Sequence, residues 1–149
     1  MVTNRIEREI HIDAPIERVW ELITRPEHFA AWYATGGADI EARPGGQMRM
    51  RWAEHGEFHA VVERAERPTS FAFRFARLPD EAPRPGNSTL AEFTLTPEGS
   101  GTRVRVVETG FAELDIPPDE QSAYSDLEAR GWDEGLAALR DRATDATTG

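Results

Sequence analysis

Apolar residues recur at every second position through the middle of the chain and at every third or fourth position near its ends. Met48, Met50 and Trp52 share one side of a strand, with Arg49 and Arg51 on the other. Phe71, Phe73 and Phe75 alternate in the same way, as do Ala91, Phe93 and Leu95, and Val104 and Val106 lead in phase to Glu108. The pattern predicts strands at residues 39–42, 47–52, 57–67, 70–75, 89–96 and 102–109. Turns are marked by Pro44-Gly45-Gly46, Glu54-His55-Gly56, Arg67-Pro68-Thr69 and Pro97-Glu98-Gly99-Ser100-Gly101. Residues 78–87 hold three prolines and a glycine and read as a long, mobile hairpin loop.

The ends read differently. Ile6, Ile10 and Ile12 give a first strand, and Asp13 ahead of Pro15 suits a helix start, Asp as the cap and Pro in the first turn. Val19, Trp20, Leu22 and Ile23 form a short amphipathic helix that Arg25-Pro26 breaks. A second short helix through Phe29, Trp32 and Tyr33 ends at Gly36-Gly37. After a link at 111–119, a long helix beginning near Ser122 carries Tyr124, Leu127, Gly131, Trp132, Gly135, Leu136, Leu139 and Ala143 on one stripe. A one-sided sheet and a one-sided helix bury each other's apolar faces. The expectation is a single α+β domain over residues 1–149, ordered from about 5 to 143, with a frayed tail. Gly131 and Gly135 lower helix propensity by up to about 1 kcal/mol each. On a buried stripe they imply close helix–sheet approach or empty space.

Charge narrows the partners. The net charge of −10, with 17 basic against 27 acidic residues, argues against nucleic acid. No stretch reaches the roughly 18 apolar residues of a membrane span, and no apolar leader opens the chain, so a cytoplasmic location without membrane contact is expected. The absence of cysteine agrees with a reducing compartment.

Glu108 is the leading candidate for chemistry, because its phase points it at the helix. A poorly hydrated carboxyl there could act as acid, base or polar anchor. The alternative is a strand-end position near the cavity mouth, hydrated or paired with an arginine such as Arg130. His55 and His59 stand four apart across Gly56 in a turn-to-strand segment, which does not suit a metal site, and none is expected. His59 is expected to point outward, His28 to lie on the second helix and His11 on an exposed strand. Trp32, Met50, Trp52 and Phe73 are assigned to a pocket, Trp20 and Trp132 to the core. Neither a nucleophile elbow nor a phosphate cradle is present, and no cofactor is implied.

The ordered set Ala14-Pro15 with Val19-Trp20, Pro26-Glu27 with Trp32, Pro44-Gly45-Gly46, His55-Gly56, Gly101-Thr102-Arg103-Val104, Thr109-Gly110-Phe111 and Gly131-Trp132 with Leu136 and Leu139 resembles the START-like helix-grip (SRPBCC) superfamily. More narrowly, it resembles bacterial homologues of the activator of heat-shock chaperone ATPase. The resemblance runs from Ile6 to Arg142. It implies a curved antiparallel sheet of six to seven strands around a long C-terminal helix, two short helices after the first strand, and an apolar pocket between helix and sheet. Relatives of this kind include ligand carriers, sequestering resistance proteins and polyketide cyclases. Chaperone activation belongs to a larger protein with an extra N-terminal domain and is not carried over.

The expected function is binding of a small, largely apolar ligand, in a stress or resistance context. Its pocket would be lined by Trp32, Met48, Met50, Trp52, Phe58, Phe73, Phe93, Val106, Glu108, Tyr124, Leu127 and Gly131. Two alternatives stand beside it: an enzyme of cyclase, dehydratase or hydrolase type using Glu108, and an interaction module without ligand. A homodimer is a possible assembly.

Overall fold

The computed structural model describes residues 4–144. A first strand, β1 (Arg5–Ile12), leads into two short helices, α1 (Ile16–Thr24) and α2 (Pro26–Trp32). Six strands follow: β2 (Gly37–Ile40), β3 (Gln47–Trp52), β4 (Gly56–Glu66), β5 (Ser70–Ala76), β6 (Ser88–Glu98) and β7 (Gly101–Thr109). A single 3-10 turn, Phe111–Glu113, precedes the long helix α3 (Pro118–Thr144). All seven strands form one antiparallel sheet in the order β1-β7-β6-β5-β4-β3-β2. The α+β class expected from the pattern, and the helix-grip architecture that the resemblance implies, are the ones observed. The tail expected to fray lies, from residue 145 onward, outside the described residues.

Strand parity holds wherever the ladder is regular. Met48, Met50, Phe71, Phe73, Phe93, Val104 and Val106 are all buried on the side that carries the helices. The exception is β4, where the register shifts between Val62 and Arg64. Unbroken alternation after Val62 would turn Arg64 inward. The bulge at Glu63 returns Ala65 to the inner side, opposite Phe71, and leaves Arg64 outside against Glu92 at 3.3 Å. On the outer face the arginines form ion pairs, including Arg105–Glu7 at 2.8 Å, Arg103–Glu98 at 2.7 Å and Arg74–Glu63 at 3.0 Å.

Three local expectations are corrected. Pro15, not Asp13, occupies the cap of α1, and no side chain caps that helix. Asp13 turns back to His11 Nε2 at 3.1 Å instead. The long helix starts at Pro118 and not near Ser122, because Pro118 followed by Asp119 and Glu120 suits a helix N-terminus. Gln121 secures that first turn by donating to the carbonyls of Leu114 and Ala112 at 2.9 and 3.2 Å.

The segment after β5 is not a loose hairpin. Asp80 N–H donates to Glu57 at 2.9 Å, and Asn87 Nδ2 donates to the Ala82 carbonyl at 3.0 Å. Arg84 N–H donates to Asn87 Oδ1 at 2.7 Å, and Asp115 N–H to Gly86 at 2.7 Å. Its polar backbone is tied to β4, to itself and to the link before α3.

Candidate functional site

The two glycines of the α3 stripe have opposite reasons. A Cβ on Gly135 would stand 3.3 Å from Tyr33 and 3.5 Å from Trp32, so helix and α2 approach closely there. A Cβ on Gly131 would meet nothing within 4 Å. Close approach and empty space thus sit one turn apart on the same helix.

Between them and the sheet lies a buried polar cluster. Glu108 is fully buried near the end of β7. Its Oε1 accepts from the Trp132 indole N–H at 2.7 Å, and its Oε2 accepts from the Thr89 hydroxyl at 2.7 Å. Glu128, half-buried on α3, hydrogen-bonds to Glu108 and accepts from the Tyr124 hydroxyl at 3.4 Å. Arg130 is exposed, so the hydrated or arginine-paired alternative for Glu108 does not hold.

Electrostatics couples the two carboxyls. Burial pushes the Glu128 carboxyl well above the usual carboxylate range, and the neighbouring Glu108 adds to the shift. Burial raises Glu108 as well, but hydrogen bonds from Thr89, Glu128 and Trp132 pull it back. Both carboxyls are thus raised, Glu128 the further of the two, and they titrate as one pair across the helix–sheet boundary. Tyr33 and Tyr124 are driven up by burial, then by the two glutamates, and both stay protonated.

Aromatic rings extend the cluster. Tyr33 stacks on Trp132 with centroids 4.9 Å apart, and Trp52 meets Tyr33 edge-on at 5.4 Å while donating its indole N–H to the Tyr33 carbonyl at 2.9 Å. Phe58 lies 5.6 Å from Trp52. Trp52, Phe58 and Tyr124 are half-buried, which places them at the rim. Trp32, Met48, Met50, Phe73, Phe93 and Val106 are buried deeper, and Phe73 and Phe93 pack at 6.3 Å. Leu127 does not face inward; it is 54% exposed. The buried face of α3 runs through Gln121, Ser125, Trp132, Leu136 and Leu139, which turns Leu127 outward and brings Glu128 in.

Two surface clefts lie elsewhere. One of about 300 Å³ runs between β3, β4 and the segment Asp80, Ala82 and Pro83, and includes Met48 and His59. A smaller one of about 150 Å³ lies among Arg77, Leu78, Arg84 and Asp115. Trp20 packs edge-on against Phe71 at 6.1 Å as a core residue. Trp132 is equally buried, yet its N–H serves the acid cluster.

Glu128, Thr89 and Tyr33 were missed as site residues. The signal for Glu128 was present: it stands four residues after Tyr124 and four before Trp132, on one helix face. The histidines stay apart. His11 is held by Glu98 at 2.7 Å, His59 stands 3.7 Å from Glu57, and His28 accepts from Arg142 at 3.1 Å. Among the described residues, no three His, Asp or Glu side chains come together as a metal site, and no helix is long and apolar enough to cross a membrane.

Solved structures share this fold. Bacillus halodurans protein BH1534 is 25% identical, with a TM-score of 0.73 over 96% of this chain and 99% of its own. The Aha1 dimer from Colwellia psychrerythraea is 17% identical, with a TM-score of 0.75 over 96% and 98%. DynU16, from the dynemicin biosynthetic locus, is 21% identical, with a TM-score of 0.73 over 93% of this chain and 46% of its own. No curated protein matches the chain. The family model described as activator of Hsp90 ATPase homolog 1-like protein matches residues 13–143. The matched span runs from the start of α1 to the last turn of α3, and the chain belongs to that family.

Proposed function

We propose that this protein binds a small, largely apolar molecule between α3 and the sheet, at the end where Glu108, Glu128 and Tyr124 meet. The observation that carries the reading is the pair of the fully buried Glu108 and the half-buried Glu128 beside the open space at Gly131. A pair of carboxyls between a helix and a sheet is costly to bury, and an apolar pair would hold the layers together more cheaply. Trp52, Phe58 and Tyr124 supply the apolar rim, and the acid pair supplies the polar contact that orients the ligand. The deeper rings are packed against one another, so the ligand sits toward the rim. The place of DynU16 in a biosynthetic locus supports a small-molecule role, and the dimeric Colwellia relative supports a homodimer. We place the protein in the cytoplasm.

The test is native mass spectrometry of the protein purified from its own host, before and after organic extraction. An apolar molecule lost on extraction supports the reading, provided that Gly131→Trp, which fills the open space, abolishes its retention. Retention unchanged in the variant places the ligand elsewhere.

The acid pair also favours a second reading, an enzyme of cyclase, dehydratase or hydrolase type. Two adjoining carboxyls, both raised by burial and coupled to each other, form an acid–base arrangement that can give up and regain a proton. Glu128→Gln would then abolish turnover of a captured molecule while its binding persists; unchanged turnover ends this reading.

A further inference from the structure

The two glutamates come from opposite layers. Glu108 belongs to β7, which lies between β1 and β6, and Glu128 to the first half of α3. Whatever acts between them acts across the helix–sheet boundary. We propose that the contact between Glu108 and Glu128 is a latch that holds the first half of α3 on the sheet, and that ionisation of both carboxyls opens the interior. The latch stands without any ligand.

The surroundings make the pair decisive. Opposite Glu108, β1 offers Ile6, while Arg8 of the same strand is engaged by Asp133 at 2.7 Å. From β6 comes the uncharged Thr89 hydroxyl, and from the end of α2 the protonated Tyr33. Tyr124 is the other titratable group of α3 in the cluster. Past β5, the Arg77 guanidinium lies over the Tyr124 ring, 6.0 Å from its centre, and the Tyr124 hydroxyl donates to Glu128 at 3.4 Å. Among the described residues, no cation is hydrogen-bonded to either glutamate. With both carboxyls ionised, two like charges face each other in a poorly hydrated boundary, and separation of the layers is the available relief.

The structure also says where the helix gives way. Leu136 and Leu139 are buried in the core and Gly135 lies against Trp32 and Tyr33, so the second half stays docked. The first half has Gln121 and Ser125 as its buried residues, and its apolar contacts are the part-buried Tyr124, 5.8 Å from the Phe111 ring, and Ala129. Opening is hinged near Trp132.

Hydrogen exchange of the unliganded protein tests the latch. Amide protection, corrected for the intrinsic rate, is measured over residues 119–131 at about pH 6 and about pH 9, below the range where the buried tyrosines ionise. In the wild-type protein, protection of this segment falls at least about tenfold, the equivalent of one pKa unit. Leu136 and Leu139 keep theirs. In Glu128→Gln, whose amide still donates to Glu108 but cannot ionise, protection changes by less than about twofold, well inside one pKa unit. Should that variant fail to fold, Glu108→Gln removes the same repulsion and is read in the same way. Unchanged protection in the wild type, or an equal loss in the variant, overturns the proposal.

Discussion

The indole N–H of Trp132 donates to Glu108 Oε1 at 2.7 Å, fastening the middle of α3 to the end of β7 through a group that is fully buried. Helix and sheet also meet through apolar contacts and through the exposed Arg8–Asp133 pair at 2.7 Å, and here through a buried hydrogen bond to a carboxyl. The same carboxyl takes the Thr89 hydroxyl from the neighbouring strand and meets the Glu128 carboxyl from the helix. One side chain therefore joins three elements, and its neighbourhood sets both the binding reading and the latch.

Glu108→Ala leaves the Trp132 and Thr89 donors buried without a partner. Each orphaned donor costs about 1–3 kcal/mol, so the variant loses several kcal/mol of unfolding free energy, while Glu108→Gln, which keeps an acceptor, loses less. Urea denaturation of both variants checks this. Equal stability of Glu108→Ala and the wild type would show that the cluster does not hold the layers.

Gly131 and Gly135 respond oppositely to alanine. Gly131→Ala meets no atom within 4 Å and gains helix propensity of up to about 1 kcal/mol. Gly135→Ala puts a methyl 3.3 Å from Tyr33, a ring already stacked on Trp132, and destabilises despite the same propensity gain. Thermal midpoints that move in the same direction for both would contradict the assigned geometry.

His28 gives the fold a sensitivity to mild acid. Burial, then the Arg142 and Arg18 charges, lowers its pKa below the ordinary value. The unfolded chain then binds the proton more readily, so stability is full above about pH 6.5 and falls as the pH drops toward the lowered folded value. His28→Gln removes that part of the acid loss. His11 contributes with the opposite sign: the hydrogen bonds its ring donates to Asp13 and Glu98 raise it, and its contribution fades as pH rises through the raised value. The difference in thermal midpoint between wild type and His28→Gln, followed from about pH 7 to about pH 5, isolates the first effect; a constant difference refutes it.

Leu127 separates stability from binding. At 54% exposure, Leu127→Ser changes unfolding free energy by no more than about 0.5 kcal/mol. Retention of an apolar ligand at the rim is expected to fall only where Leu127 covers the bound molecule, which the mass spectrum of the variant reads directly.

Much of this architecture was legible in the chain. Period-two alternation through Met48, Phe73, Phe93 and Val106 named the inner face, because a strand cannot turn one such residue inward without its second neighbours. The family resemblance drawn from Ala14-Pro15, Gly131-Trp132 and the segments between them agrees with a family match over residues 13–143. Phase also selected Glu108, and its burial followed. The sequence determined these features because they depend on short periods along one element.

Only the tertiary structure decided the rest, because it depends on how elements are rotated and brought together. A stripe counted at helical spacing could not tell Leu127 from Glu128, which lie next to each other at the edge of the α3 face. The packing of Leu136, Leu139 and Trp132 on the sheet fixes the rotation that turns one out and the other in. The bulge at Glu63 answers to the cost of burying Arg64, a demand that arises only when β4 meets β5. The partnership of Glu108 with Glu128, twenty residues apart in sequence and on opposite layers, exists only once α3 is laid across the sheet.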